Sequence, residues 1–165
     1  MRVLVGFASK HGSTEGIARA IAARLEHAGL ETEVGSVGKL GGLEDVGAVV
    51  LGSALYLGSW MKEAVEFAKR NAAALGRCPV WLFSSGPLGT EAKDEEAMSQ
   101  RQLAELTELL HPRDHRVFFG ALDRSHLGFG ERMAVKAAKV PDGDFRDWDA
   151  IDAWADDIAS ALADS

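Results

Sequence analysis

A single cysteine, Cys78, stands among 165 residues, so an intrachain disulfide is impossible and a reducing compartment is the natural setting. Its apolar neighbours mark it as a buried bystander rather than a redox centre. No apolar run approaches the roughly 20 residues that a membrane-spanning helix needs. The first strand-like run starts at residue 2 or 3 and leaves no room within this sequence for a signal peptide, so the expectation is a cytoplasmic protein. Positive charge is not in excess either: 25 Asp and Glu against 18 Lys and Arg give a net −7. Nucleic-acid binding needs Lys and Arg concentrated against phosphates, and no such partner is expected.

The common nucleotide motifs are also missing. No G-x-G-x-x-G follows the first apolar run, which leaves a dinucleotide site unsupported. The P-loop pattern fails because Gly6 and Gly12 are too far apart and Ser13 stands where its lysine belongs. A receiver domain wants acidic residues after the first and third strands, where this chain has Lys10, His11 and Ser53.

What is present begins with Val3-Leu4-Val5-Gly6-Phe7-Ala8, which breaks into Ser9-Lys10-His11-Gly12-Ser13-Thr14 and passes into a helical pattern. A strand feeding a hydroxyl-rich loop at a helix N-terminus is an anion site, most often for phosphate: unpaired N–H donors and the positive end of the helix dipole converge there. Capping of the helix by Ser13 or Thr14 is the simpler alternative, although capping alone does not require the whole cluster.

The same alternation runs through the chain. Strands are expected at Arg2–Ala8, Glu31–Val34, Gly47–Ser53, Val80–Ser84 and Arg116–Ala121, and helices at Ser13–Ala28, Ser59–Leu75, Glu95–Leu110, Phe129–Val140 and Trp148–Leu162. Ile17, Ile21 and Leu25 give the first helix a buried stripe, and Trp148, Ile151, Trp154, Ile158 and Leu162 give the last one the same. Gly29 fits a C-terminal cap and Asp147 an N-cap. The length suits one domain over residues 1–165. Alternating strands and helices imply an α/β fold, a doubly wound parallel sheet with helices on both faces. In such sheets ligands sit beyond the carboxyl ends of the strands at the switch point.

That rule directs attention to two further loops. Ser53-Ala54-Leu55-Tyr56-Leu57-Gly58-Ser59-Trp60 offers an aromatic and leucines for one wall of a planar ring, although a tyrosine often half-buries with its hydroxyl in water. Trp60 falls in phase with Ala64 and Phe67, which points to helix packing. Ser84-Ser85-Gly86-Pro87-Leu88-Gly89 forms a tight turn whose outward N–H and C=O groups suit the polar edge of a heterocycle, or a plain surface loop.

The −7 is concentrated at one end. Pro141–Ser165 holds eight Asp and one Arg, which leaves 17 acidic and 17 basic residues in the rest of the chain. This segment reads as a solvated helix face, with a docking surface for a basic redox partner as the second reading. Arg124 to Met133, with Lys136 and Lys139, is locally basic. An amphipathic crossover helix explains it, and contact with a lipid surface, a quinone or substrate carboxylates is the alternative.

Taken together, the three loops resemble the flavodoxin-like FMN-binding family over nearly the whole chain. Within it the chain looks most like the branch containing the menaquinone-dependent protoporphyrinogen oxidases. The carriers of that finer likeness are Gly52-Ser53 with Tyr56 and Gly58, Phe119-Gly120-Ala121-Leu122, and Gly143-Asp144-Phe145-Arg146-Asp147-Trp148. The resemblance implies five strands in the order 2-1-3-4-5 and FMN as cofactor. It implies that Ser9, Lys10, His11, Gly12, Ser13 and Thr14 hold the phosphate. Leu55, Tyr56, Leu57 and Gly58, preceded by Ser53 and Ala54, would flank the flavin ring together with Ser84, Ser85, Gly86, Pro87, Leu88 and Gly89.

The flavin supplies the hard chemistry in such proteins, so no catalytic acid, base or metal is nominated. The third loop lacks the aromatic ring usual in electron-carrying flavodoxins, and Lys10 and His11 put positive charge beside a loop that is typically neutral. The resulting expectation is an FMN-dependent oxidoreductase serving a small-molecule or protein redox partner, with a quinone or a porphyrinogen as candidates and peripheral contact with the inner face of a membrane. A small electron carrier and a flavin-free interaction module are the alternatives.

Overall fold

The computed structural model describes residues 1–9, 12–56, 58–86, 100–118, 121–122, 143–144 and 146–164. The expected helix at 129–140 lies outside these residues.

Strand β1 (Arg2–Ala8) is an interior strand of a parallel sheet, because six of its seven residues are apolar or glycine and can be covered on both faces. It pairs with β2 (Glu31–Ser36) on one side and β3 (Val46–Tyr56) on the other, with Val5 opposite Val34 and Val50. Beyond β3 come β5 (Val80–Ser85) and β6 (Asp114–Phe118), both parallel to their neighbours. The order β2-β1-β3-β5-β6 is the expected 2-1-3-4-5 with one short strand, β4 (Ser59–Trp60), inserted in the numbering. A separate antiparallel pair joins β7 (Ala121–Leu122) to β8 (Gly143–Asp144).

The pleat sends alternate residues of β1 into two different cores. Val3, Val5 and Phe7 meet helix α1 (Ser13–His27) and helix α5 (Trp148–Ala163) through Ile17, Ile21, Leu25, Ile151, Trp154 and Ile158. Leu4 and Ala8 meet helices α2 (Lys62–Arg70), α3 (Ala72–Leu75) and α4 (Gln100–Leu110) through Phe67, Leu75, Leu106 and Leu110. Helices therefore cover both faces, as doubly wound topology requires.

The ends of α1 and α5 follow local chemistry. Gly29, at φ 93°, donates to the Glu26 carbonyl while Leu30 donates to that of Leu25, a Schellman ending. Asp147 caps α5 by accepting from Ala150 N–H at 3.1 Å.

Three expectations need correction. The helix expected at Ser59–Leu75 is a hairpin strand followed by two helices. Gly58 turns the chain at φ 80°, and Met61 stays extended at φ −59°, ψ 144°. Trp60 is buried, as expected, but in β4 rather than on a helix. The strand expected at Arg116–Ala121 begins earlier, at Asp114; it is described to Phe118, and Ala121 belongs to β7. Finally, Trp148 is not part of the α5 stripe; it is 39% exposed.

Candidate functional site

The sheet order places the ends of β1, β3 and β5 side by side, since Ala8 registers with Ser53 and Ser53 with Ser84. Four polar side chains are buried among the described residues: Thr14, Ser53, Ser84 and Ser85. All four lie at this carboxyl edge, and each belongs to one of the three loops singled out by sequence.

After β1, Ser9 Oγ accepts from Gly12 N–H at 3.0 Å and folds the loop back on itself. Gly12, at φ 87°, occupies the left-handed region that glycine enters without strain, and it stands at the N-cap of α1. Among the described residues no side chain is seen to cap the helix at Gly12. Thr14 Oγ1 is completely buried and has no hydrogen-bond partner among the described residues. A buried hydroxyl left without a partner costs about 1–3 kcal/mol, and this one sits in the first turn of α1.

After β3, the strand continues to Tyr56 and turns back through Gly58, with Leu55 opposite Trp60 and Tyr56 opposite Ser59. The hairpin holds Tyr56 at the tip, 59% exposed. Ser53 supports the turn from below: its Oγ donates to the Ala54 carbonyl and accepts from Met61 N–H, both at 2.9 Å.

After β5, Ser84 is buried beneath the hairpin. Its Oγ accepts from Trp60 Nε1 at 2.8 Å and lies 3.0 Å from His115 Nε2. Indole N–H can only donate, so Ser84 Oγ is the acceptor in the first of these contacts; the roles in the second depend on the imidazole tautomer. Ser85 Oγ lies 3.5 Å from Ser13 Oγ and links this loop to the first one. Gly86, at φ 113°, donates to the Phe118 carbonyl at 2.8 Å. It packs beside Leu55, which lies 3.7 Å from where a Cβ would stand.

The structure thus brings Ser9, Gly12, Ser13 and Thr14 together with Ala54, Leu55, Tyr56, Gly58, Ser85 and Gly86 at one edge. Ser53 and Ser84 lie just beneath, with their hydroxyls engaged internally. Lys10, His11, Leu57, Pro87, Leu88 and Gly89 lie outside the described residues.

Several neighbours of the site are not visible as motifs. Gln102 Oε1 accepts from Trp60 N–H at 2.7 Å and ties α4 to the hairpin. Burial pushes the His115 imidazole below its usual pKa, and the Asp114 carboxylate opposes that shift only in part. Burial pushes the Asp114 carboxyl up, but hydrogen bonds from Trp154, Arg116 and the His115 backbone more than offset this, leaving it below the usual carboxylate range. A groove of about 1050 Å3 between α4 and β6, lined by Glu108, His111, His115 and Arg116 among others, gives water access to this pair. Cys78 is half-buried, and burial raises its thiol pKa, as suits an unreactive side chain.

A family model described as "Flavodoxin domain" matches residues 4–149. No curated protein matches the chain. Solved structures agree in fold at low identity. A flavodoxin from the domain Archaea is 19% identical, with 82% of this chain and 99% of that one covered and a TM-score of 0.58. A cysteine-substituted flavodoxin from Pseudomonas aeruginosa is 18% identical, with 99% of each chain covered and a TM-score of 0.61. Rubredoxin oxygen:oxidoreductase from Desulfovibrio gigas is 16% identical at a TM-score of 0.64; the match covers 98% of this chain and 36% of that one.

Proposed function

The chain belongs to the flavodoxin domain family, and from that premise we propose that it is an FMN-dependent oxidoreductase. The observation that carries the reading is the buried Thr14 hydroxyl in the first turn of α1, without a hydrogen-bond partner among the described residues. A phosphate there would accept from that hydroxyl and from the orphan N–H groups of the turn. The residues present fit the group in three further respects. Gly12 leaves nothing within 4 Å of the place where a Cβ would stand. Tyr56 offers an exposed ring, and the Ser85–Gly86 backbone offers polar groups beside it.

Bound FMN would supply the electron-transfer chemistry. The protein binds the phosphate through Ser9 to Thr14 and orients the ring between the Tyr56 hairpin and the Ser85–Gly86 turn. Ser53 and Ser84 hold that hairpin from beneath rather than touching ligand. In its finest form the proposal is an oxidoreductase akin to the quinone-linked protoporphyrinogen oxidases. The support for this is the residue likeness at Gly52-Ser53, Tyr56 and Gly58 and at Gly143 to Trp148, and the lack of an aromatic ring in the third loop.

Flavin absorbance of the purified chain, followed by titration with FMN, tests the cofactor. A yellow protein, or a colourless one that takes up FMN, is expected; a colourless protein that ignores added FMN overturns the proposal. Stopped-flow mixing of the reduced protein with a soluble naphthoquinone tests the acceptor. Rapid quinone-dependent reoxidation is expected, and reoxidation only by a redox protein assigns the chain to the electron carriers instead.

A further inference from the structure

We propose that Arg146 sets specificity at the phosphate end of the ligand, favouring the dianionic mononucleotide over uncharged riboflavin; this rests on the flavin reading above. Arg146 lies one residue before the N-cap of α5, yet its guanidinium crosses to the first turn of α1. Nη1 stands 3.5 Å from the Ser13 carbonyl oxygen. It lies directly over Gly16, where an added Cβ would come within 2.5 Å of it. The other side of the guanidinium stacks on the Trp148 ring, 4.6 Å from the centroid.

Glycine inside a helix is unfavourable, and at position 16 an added side chain would displace the guanidinium from where it lies. Trp148 gives up burial that the stripe of α5 could have offered and is 39% exposed instead. A cation beside the N-terminal end of a helix adds to a potential that is already positive there, which is unfavourable for the helix and favourable for an anion. The same turn carries the second observation, the buried Thr14 hydroxyl, which has no partner among the described residues. Its carrier helix is 15 residues long.

The chemistry selects a phosphate. A guanidinium presents a planar fork of N–H donors that suits phosphate oxygens and stays charged at any working pH. Clamped between a ring and a backbone, it loses little further freedom on binding. Riboflavin has the same ring system without the phosphate, so the difference between the two ligands isolates the phosphate end.

The test is a pair of fluorescence-quenching titrations, with FMN and with riboflavin, on the full chain stripped of any bound flavin. Arg146→Gln is expected to weaken FMN about tenfold and to leave riboflavin within about twofold, as removal of one nearby charge implies. It should also flatten the dependence of FMN affinity on ionic strength. Arg146→Lys keeps the charge but not the fork and should fall between. Gly16→Ala keeps every charge and improves helix propensity, but displaces the guanidinium, so it should reproduce the FMN loss in a folded protein. Parallel losses for both flavins, or no loss for FMN in Arg146→Gln, would overturn the proposal while leaving the flavin reading intact. An unaltered chain that binds neither flavin would overturn both.

Discussion

The middle of the sheet and its carboxyl edge are equally buried and oppositely built. In the middle, Val3, Leu4, Val5, Val50, Leu51, Leu82 and Phe83 are fully or almost fully covered and entirely apolar. At the edge, within a few residues along the same strands, stand all the buried polar side chains found among the described residues: Thr14, Ser53, Ser84 and Ser85. Burial of a hydroxyl is tolerated when it is hydrogen-bonded. Ser53 holds the return of the hairpin against β3, Ser84 ties the hairpin to β5, Ser85 meets Ser13, and Thr14 has no partner among the described residues. This edge is therefore not simply a less well-packed piece of core. It is a polar platform with one vacancy in its hydrogen bonding, at the place where an anion site was anticipated.

The contrast between middle and edge is tested most strongly on its apolar side. Phe83 packs against Phe118 and Trp154, with ring centroids 6.4 and 6.3 Å away, and its own ring fills the space a side chain on Gly52 would need. Phe83→Ala should cost about 3–5 kcal/mol in urea unfolding, the usual range for an emptied aromatic site. A loss below about 1 kcal/mol would mean that the middle of the sheet is not the jigsaw described. Next in size is Ser84→Ala at the edge. It strands the Trp60 indole N–H in a buried position, and the cost expected from the same measurement is about 1–3 kcal/mol.

Thr14→Val should behave in the opposite way. It replaces an unpartnered hydroxyl by a methyl of similar shape, so the ligand-free protein should keep its stability or gain about 1 kcal/mol. FMN affinity should fall at the same time. If Thr14→Val destabilises the ligand-free protein as Ser84→Ala does, the hydroxyl has a structural partner and the vacancy does not exist.

The smallest effect concerns pH. The His115 imidazole has its pKa lowered by burial. As pH falls below the ordinary histidine value near 6.5, the unfolded chain takes up a proton that the folded one resists. Stability therefore declines on acidification from about pH 6.5, and His115→Gln should remove this part of the slope in urea midpoints measured between pH 7 and 5. Asp114, whose pKa is also lowered, contributes stability above the ordinary carboxylate range and loses it only at more acidic pH. A slope unchanged in His115→Gln would leave the imidazole outside the buried network.

Much of this arrangement was legible in the chain. Strand–helix alternation, the continuous apolar runs of β3 and β5, the Gly29 ending and the Asp147 cap are local signals, and the structure follows them. The segment 59–75 was misread for an equally local reason. Trp60, Ala64 and Phe67 keep a helical phase, but Gly58 and Met61 interrupt the backbone beneath that pattern. Periodicity registers which side chains are buried, and Trp60 is buried in either conformation.

The alternating elements, the apolar centre and the three loops that could share one edge are encoded locally, because each depends on residues close together along the chain. What the hydroxyls at that edge do is set by long-range packing. Whether Ser53 and Ser84 face a ligand or a neighbour depends on register with Met61, Trp60 and His115, and no local pattern encodes that register. The same holds for Arg146, whose place against Gly16 joins residues far apart in sequence through the packing of α5 on α1. Side-chain chemistry can be read along a chain, but its partners are chosen by the fold.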